Sequence, residues 1–235
     1  ELENFQSSGQ KIAELKTQVQ ALYADAKKAA EALTQSRLKG FTAMNKEMRA
    51  ALEFLNMPGI RFALKHARGP LSSHGQDTVE FLISTNPGED PKPLAKIASG
   101  GELSRIMLAI KTVLADSDDI PTLIFDEIDT GISGRTAQKV SERLSYIAGK
   151  HQVLCITHLP QIAAMADTHF EIRKTVENGK TSTRIHKLGK EEQTEELARL
   201  LGGAEITGAV LENAREMKRL AEKKKRELLE ERNVI

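Results

Sequence analysis

Apolar positions in the first part of the chain recur at alternating steps of three and four: Ile12, Leu15, Val19, Leu22, Ala26, Ala29 and Leu33. That is the seam of a heptad repeat. Lys11, Glu14, Lys16, Asp25, Lys27, Lys28 and Glu31 fall between the seam positions and form a solvated face. Two successive steps of four, at Leu33, Arg37 and Phe41, then turn the stripe around the helix as a stutter does. Met44, Met48, Leu52 and Leu55 carry it onward. The spacing predicts one helix over residues 11–56, stopped by "NMPG" and roughly 70 Å long at 1.5 Å per residue. Two shorter helices broken near Gly40 are the alternative. A helix that long outruns a core of this chain's size and requires a partner helix, from another molecule or from sequence upstream.

From residue 60 the period changes to two. "IRFALKH" and "DTVEFLIS" read as strands around a loop "ARGPLSSHGQ", followed by a second loop, "TNPGEDPKP". A helix opened by Ser99, the apolar strand "TLIFDE", a helix over 134–148 and the strand "QVLCIT" come next. Strands "THFEIRK" and "TSTRIHKL" flank a turn "ENGK", and the tail, "EEQTEELARLLGG" and then 207–232, is helical. Strands alternating with helices predict the α/β class. The continuous apolar runs predict a mostly parallel sheet covered on both faces.

Composition narrows the picture. Among 235 residues, 29% are charged and only 4% aromatic, which fits a large share of extended helix. A net charge of +1 leaves any nucleic-acid contact to a local basic patch. The tail "KRLAEKKKRELLEER" is not such a patch, because Glu222, Glu227, Glu230 and Glu231 offset its lysines, and it reads as an exposed surface helix. The single Cys155 excludes a disulfide framework and a multi-cysteine zinc site, consistent with a reducing compartment. No long apolar run and no charged-then-apolar leader is present, so no membrane partner is expected and the expected location is cytoplasmic. The chain opens inside a polar helical pattern without methionine, as a fragment would.

Chemistry concentrates in three places. Ser99 and Glu102 fit a capping box, yet Gly100 and Gly101 cost helix stability unless another surface comes close. A phosphate is a candidate, because free N–H groups and the helix dipole favour anions there. Asp126 and Glu127 leave the carboxyl end of an apolar strand, the edge where open α/β sheets hold ligands. On extended backbone their side chains point to opposite sides, so one acid suits magnesium and the other water activation. Thr157 and His158 arrive at the same edge from the next strand. The phosphate cradle G-x-x-x-x-G-K-[ST] is absent. Its nearest look-alike, "NGKT" at 178–181, has Lys174 where the first glycine belongs and reads as a hairpin turn.

In that order, "ASGGELSR" (98–105), "LIFDEIDTGISG" (123–134) and "CITHLPQIAAMAD" (155–167) resemble the C-terminal portion of the RecN family of bacterial DNA repair ATPases. These are SMC-like members of the ABC-type ATPases. The resemblance implies a returning coiled-coil arm over 1–57 and the C-terminal lobe of a P-loop NTPase-like head over 58–235. It makes Ser99, Gly100, Gly101 and Glu102 the signature that caps ATP bound to the opposite subunit. Asp126 becomes the magnesium (Mg2+) carboxylate, Glu127 the catalytic glutamate, Asp129 a D-loop residue crossing the dimer interface, and His158 the switch histidine. The implied partners are the N-terminal half carrying the phosphate cradle, a second ATP-engaged head, and DNA, in a nucleoid-associated setting. Two other readings use the same residues: a non-catalytic coiled-coil interaction module, and a transporter-type ATPase subunit, for which so long a leading helix is unexpected.

Overall fold

The computed structural model describes residues 2–233 apart from 87, 97, 98, 178, 179 and 204. Helix α1 (Leu2–Phe54) is continuous for 53 residues, about 80 Å at helical rise. No break occurs at Gly40, where an added Cβ would meet nothing within 4 Å. The chain divides into two compact units, Glu1–Arg49 with Gly59–Ala95, and Ala50–Pro58 with Lys96–Ile235.

In the first unit, β1 (Arg61–Ser72), β2 (Gly75–Ser84) and the short β3 (Lys92–Pro93) form an antiparallel sheet in that order. The expected long loop over 67–76 is mostly strand, and the chain reverses only between Ser72 and Gly75. Pro70 lies in the stretch where pairing is irregular, between Arg68 and Ser72, as suits a residue without an N–H. Asp77 joins this hairpin to α1. Its carboxylate is fully buried and takes hydrogen bonds from Thr34 Oγ1 at 2.8 Å and Arg37 Nη1 at 2.9 Å, with His66 Nε2 2.8 Å away. Phe41 of α1 packs against Phe62 and Phe81 of the hairpin, with ring centroids 5.8, 6.4 and 5.2 Å apart among the three. The stutter therefore marks where the helix turns a second face to the hairpin, while Ile12, Leu15, Val19 and Leu22 of the first seam stay exposed.

The second unit holds α2 (Gly100–Val113), β4 (Thr122–Phe125), α3 (Gly134–Ala148), β5 (Gln152–Cys155) and α4 (Pro160–Ala164). Strands β6 (Phe170–Glu177) and β7 (Lys180–Lys187) and helices α5 (Lys190–Gly202) and α6 (Gly208–Asn233) complete it. Strands β4 and β5 are parallel, with Leu123 opposite Val153 and Phe125 opposite Cys155. Leu123 and Phe125 are buried, as are Ala137, Val140, Leu144 and Ile147 of α3. Ile124, Leu154 and Ile156 are exposed. The class is α/β, but the expected sheet covered on both faces is not formed by these residues. A four-residue apolar run shows that both faces suit burial without showing that one chain supplies both covers. A separate core of small residues, Ala163, Ala164, Ala198, Ala214 and Ala221 with Met165 and Leu197, lets α4, α5 and α6 approach closely. Strands β6 and β7 pair antiparallel, and the turn expected at Asn178 and Gly179 lies outside the described residues. At the end of α1, the Arg143 guanidinium lies over the Phe54 ring, 4.1 Å from its centroid.

Candidate active site

Parallel pairing brings the carboxyl ends of β4 and β5 to one edge. Ile156 N–H donates to the Phe125 carbonyl at 3.0 Å, so Asp126 and Thr157 leave the sheet side by side. Beyond Phe125 the backbone does not stay extended. Asp126 Oδ1 accepts from the Glu127 N–H at 2.9 Å, and Glu127 takes φ 56°, a left-handed conformation uncommon for a residue with a side chain. The two acids differ because of this turn and not because of strand alternation, which corrects the expectation from sequence. Thr130 N–H closes the turn on the Glu127 carbonyl at 3.0 Å.

Helix α2 holds that turn from the other side. Ser104 Oγ donates to the Asp126 carbonyl at 2.8 Å, and Arg105 Nη1 donates to the carbonyls of Ile128 at 3.2 Å and Thr130 at 2.8 Å. Arg105 is buried, and burial lowers its pKa from the ordinary value while nearby Glu102 opposes that shift. Neither Ser104 nor Arg105 stood out as a site residue in the sequence. The available signal was an arginine four residues from both Gly101 and Ala109, on the buried stripe of an apolar helix. A buried guanidinium there needs carbonyl acceptors.

At the start of α2, Ser99 Oγ accepts from the Glu102 N–H at 3.4 Å. The reciprocal half of the capping box, from Glu102 back to the Ser99 N–H, is not made among the described residues. The two glycines have different neighbours. A Cβ on Gly101 would lie 2.9 Å from Thr130 Cβ and 3.0 Å from the carbonyl oxygens of Glu127 and Thr130. Gly101 is therefore needed by the chain's own turn. Gly100 is exposed, and a Cβ there would run into Glu127 Oε2. The anion beside this helix terminus is thus the Glu127 carboxylate of the same chain.

Asp129 is buried. Its Oδ2 accepts from Thr157 Oγ1 at 2.6 Å and from the His158 N–H at 2.9 Å, and lies 3.0 Å from His158 Nδ1. The His158 ring is mostly exposed. Ser99, Gly100, Gly101, Asp126 and Glu127 thus meet at one place, with Asp129 and His158 paired on the same sheet edge. For a hard cation the donor set is one carboxylate, Asp126, with Oδ2 left over from its backbone contact. No group of three or more His, Cys, Asp or Glu side chains able to hold a metal occurs among the described residues. A single carboxylate with one oxygen free suits magnesium, which takes one or two carboxylates and completes its shell with phosphate oxygens and water. No helix among the described residues is long and apolar enough to cross a membrane.

No family model matches the chain. It is 41% identical over 226 residues to the DNA repair protein RecN of Halalkalibacterium halodurans, covering 94% of this chain and 40% of that one. It is 50% identical over 155 residues to the DNA repair protein RecN of Bacillus subtilis, covering 66% of this chain and 27% of that one. The chain therefore spans about two fifths, or less, of the length of these curated relatives. Among solved structures it is similar to the Smc head domain with a coiled coil and joint from Pyrococcus yayanosii. That match is 21% identical over 83% of this chain and 37% of the other, with a TM-score of 0.48.

Proposed function

The chain belongs to the RecN family, and from that membership we propose that it is the C-terminal part of an ATP-hydrolysing DNA repair protein. The observation that carries the proposal is the meeting of Asp126, Glu127 and His158 at one sheet edge with the glycine-led terminus of α2. In this reading residues 1–57 are the returning arm of a coiled coil and 58–235 the C-terminal lobe of the ATPase head. Glu127 orients and deprotonates the attacking water, His158 meets the terminal phosphate, and Asp126 holds magnesium. When bound, that ion neutralises charge on the phosphates. Ser99, Gly100 and the N–H groups behind them serve the nucleotide of a second head. For that, Glu127 has to leave its place beside Gly100.

An N-terminal half supplies the phosphate cradle. The exposed apolar residues Ile124, Leu154 and Ile156 on the β4–β5 pair, and Phe170, Ile172 and Ile185 on the β6–β7 hairpin, support a lobe that covers these sheets. The exposed seam from Ile12 to Leu22 likewise supports an antiparallel helix beside α1. Family membership supports DNA as the ultimate target and a cytoplasmic, nucleoid-associated location.

The test compares the full-length protein, its Glu127→Gln variant and this chain alone for ATP binding and turnover. Expected are a loss of at least a hundredfold in turnover for Glu127→Gln with ATP binding retained, and no turnover by the chain alone. Full-length Glu127→Gln protein hydrolysing ATP at the normal rate would remove the catalytic role. Glu127-dependent turnover by the chain alone would remove the need for a second half.

A further inference from the structure

We infer that Asp129 is a positioning residue for His158, one that fixes the proton on Nδ1 and leaves Nε2 as the atom offered to a phosphate. The inference rests on His158 being the phosphate-facing histidine of the proposed site. It gives Asp129 a task inside its own chain, different from the interface-crossing role that the family resemblance implies.

The geometry is that of one buried carboxylate serving one short segment. Asp129 is 5% exposed at its side chain, whereas His158 is 72% exposed. A single oxygen, Oδ2, gathers the Thr157 hydroxyl at 2.6 Å, the His158 N–H at 2.9 Å and the ring Nδ1 at 3.0 Å. Thr157 Oγ1 in turn accepts from the Leu159 N–H at 3.0 Å, which ties the next residue into the same arrangement. A neutral imidazole carries one N–H and one lone pair. A lone pair on Nδ1 within 3.0 Å of a carboxylate oxygen is repelled and a proton there is attracted, so this proximity selects the Nδ1–H form. Nε2 then carries the lone pair, and in the doubly protonated ring it carries the second proton, on the side open to solvent. Because the same oxygen also holds the His158 backbone, ring direction and ring protonation are set together. Carboxylates that orient a working histidine through its second nitrogen have the same logic in metal sites, where losing one costs 10–100-fold.

A purely structural Asp129 would staple residues 157–159 without influencing the imidazole, and two measurements on the full-length protein separate the cases. The first is the 15N signature of His158 at a pH where the ring is neutral, assigned by its disappearance in His158→Ala. The Nδ1–H form is expected in the wild type, and the Nε2–H form gains population in Asp129→Asn. The second is ATP turnover of Asp129→Asn, His158→Ala and the double variant. Asp129→Asn should lower kcat about tenfold with KM little changed, and should cost less than twofold when His158 is already Ala. Multiplying losses in the double variant would overturn the inference, as would an unaltered tautomer in a folded Asp129→Asn protein. An Nε2–H wild type overturns it even if Asp129→Asn does not fold. Normal turnover of His158→Ala would instead remove the phosphate-facing role of His158, and the tautomer would still report whether Asp129 sets the ring.

Discussion

Gly100 and Gly101 stand next to each other at the start of α2, and alanine at the two positions should have opposite consequences. At Gly101 the new methyl would press on Thr130 Cβ at 2.9 Å and on two carbonyl oxygens at 3.0 Å. None of these can step aside cheaply. The Thr130 carbonyl is held by Arg105, and the Glu127 carbonyl by the Thr130 N–H. Forcing a methyl into such a site costs about 1–3 kcal/mol. Alanine's better helix propensity returns at most about 1 kcal/mol. Three contacts at 3.0 Å or less put Gly101 in the upper part of that range, so the expected net loss for Gly101→Ala is about 1–2 kcal/mol. At Gly100 the methyl meets only the far end of the Glu127 side chain, which can rotate away, so Gly100→Ala should stay within about 0.5 kcal/mol of wild type. Urea unfolding followed by circular dichroism at 222 nm reads both. With a slope of roughly 2 kcal/mol/M, the Gly101→Ala midpoint should fall by about 0.5–1 M and the Gly100→Ala midpoint hardly move. Equal midpoints, or a less stable Gly100→Ala, would refute the claim that the second glycine exists for the chain's own turn.

Two further predictions concern titrating groups. His66 first, then Arg37 and Thr34, hold the Asp77 carboxyl down to about 2 against the opposing effect of burial. A folded value below the unfolded one gives stability that is fully present above about pH 4 and lost as the pH falls through about 2. Melting curves of wild type and Asp77→Asn should therefore lie furthest apart near neutrality and converge on acidification, and a gap that widens toward pH 2 would contradict this. Burial, then the charges of Asp129 and Asp126, push the Cys155 thiol up to about 12. At pH 8 its thiolate fraction lies far below that of an ordinary cysteine, so a thiol-reactive disulfide should label it at least about tenfold more slowly in the native protein than in urea. Equal native and denatured rates would show that the thiol is neither buried nor held neutral.

Much of the fold was legible wherever periodicity and a boundary residue agreed. Helix α3 runs from Gly134 to Ala148, as the apolar spacing required, because its buried stripe is complete within the segment. The long α1 was legible for the same reason, and its stutter marked a real change of packing face. The hairpin was less so. Residues 67–76 read as a loop, but pairing of Arg68 with Asp77 and Ser72 with Gly75, and the His66–Asp77 contact, carry the strands through most of it. Asp129 shows the limit for the site. In "DEID" it looks like one more acid leaving a strand, and its burial depends on Thr157 and His158, which β5 delivers. Which acid turns inward is decided by the parallel register of β4 and β5, and no local pattern encodes that.

Glu127 joins these observations. A left-handed backbone at a residue with a side chain costs on the order of 1–3 kcal/mol, and such strain persists only where the surroundings over-determine it. Here Asp126 Oδ1 holds the Glu127 N–H, Thr130 N–H holds its carbonyl, and Arg105 and Ser104 fix the carbonyls on either side. The missing side chain at Gly101 leaves room for the Glu127 carbonyl to point toward α2. Two motifs that sequence separates by about twenty residues, "SGGELSR" and "FDEID", are therefore one mechanical part. The helix carries the fittings, and the acidic turn is shaped against them. A force that shifts the terminus of α2, such as a phosphate arriving at Ser99 and Gly100, acts directly on the backbone that aims Glu127. The Glu127 carboxylate that lies beside Gly100 in this structure is the same group the proposed reaction needs elsewhere, so in that reading an anion reaching Gly100 has to displace it.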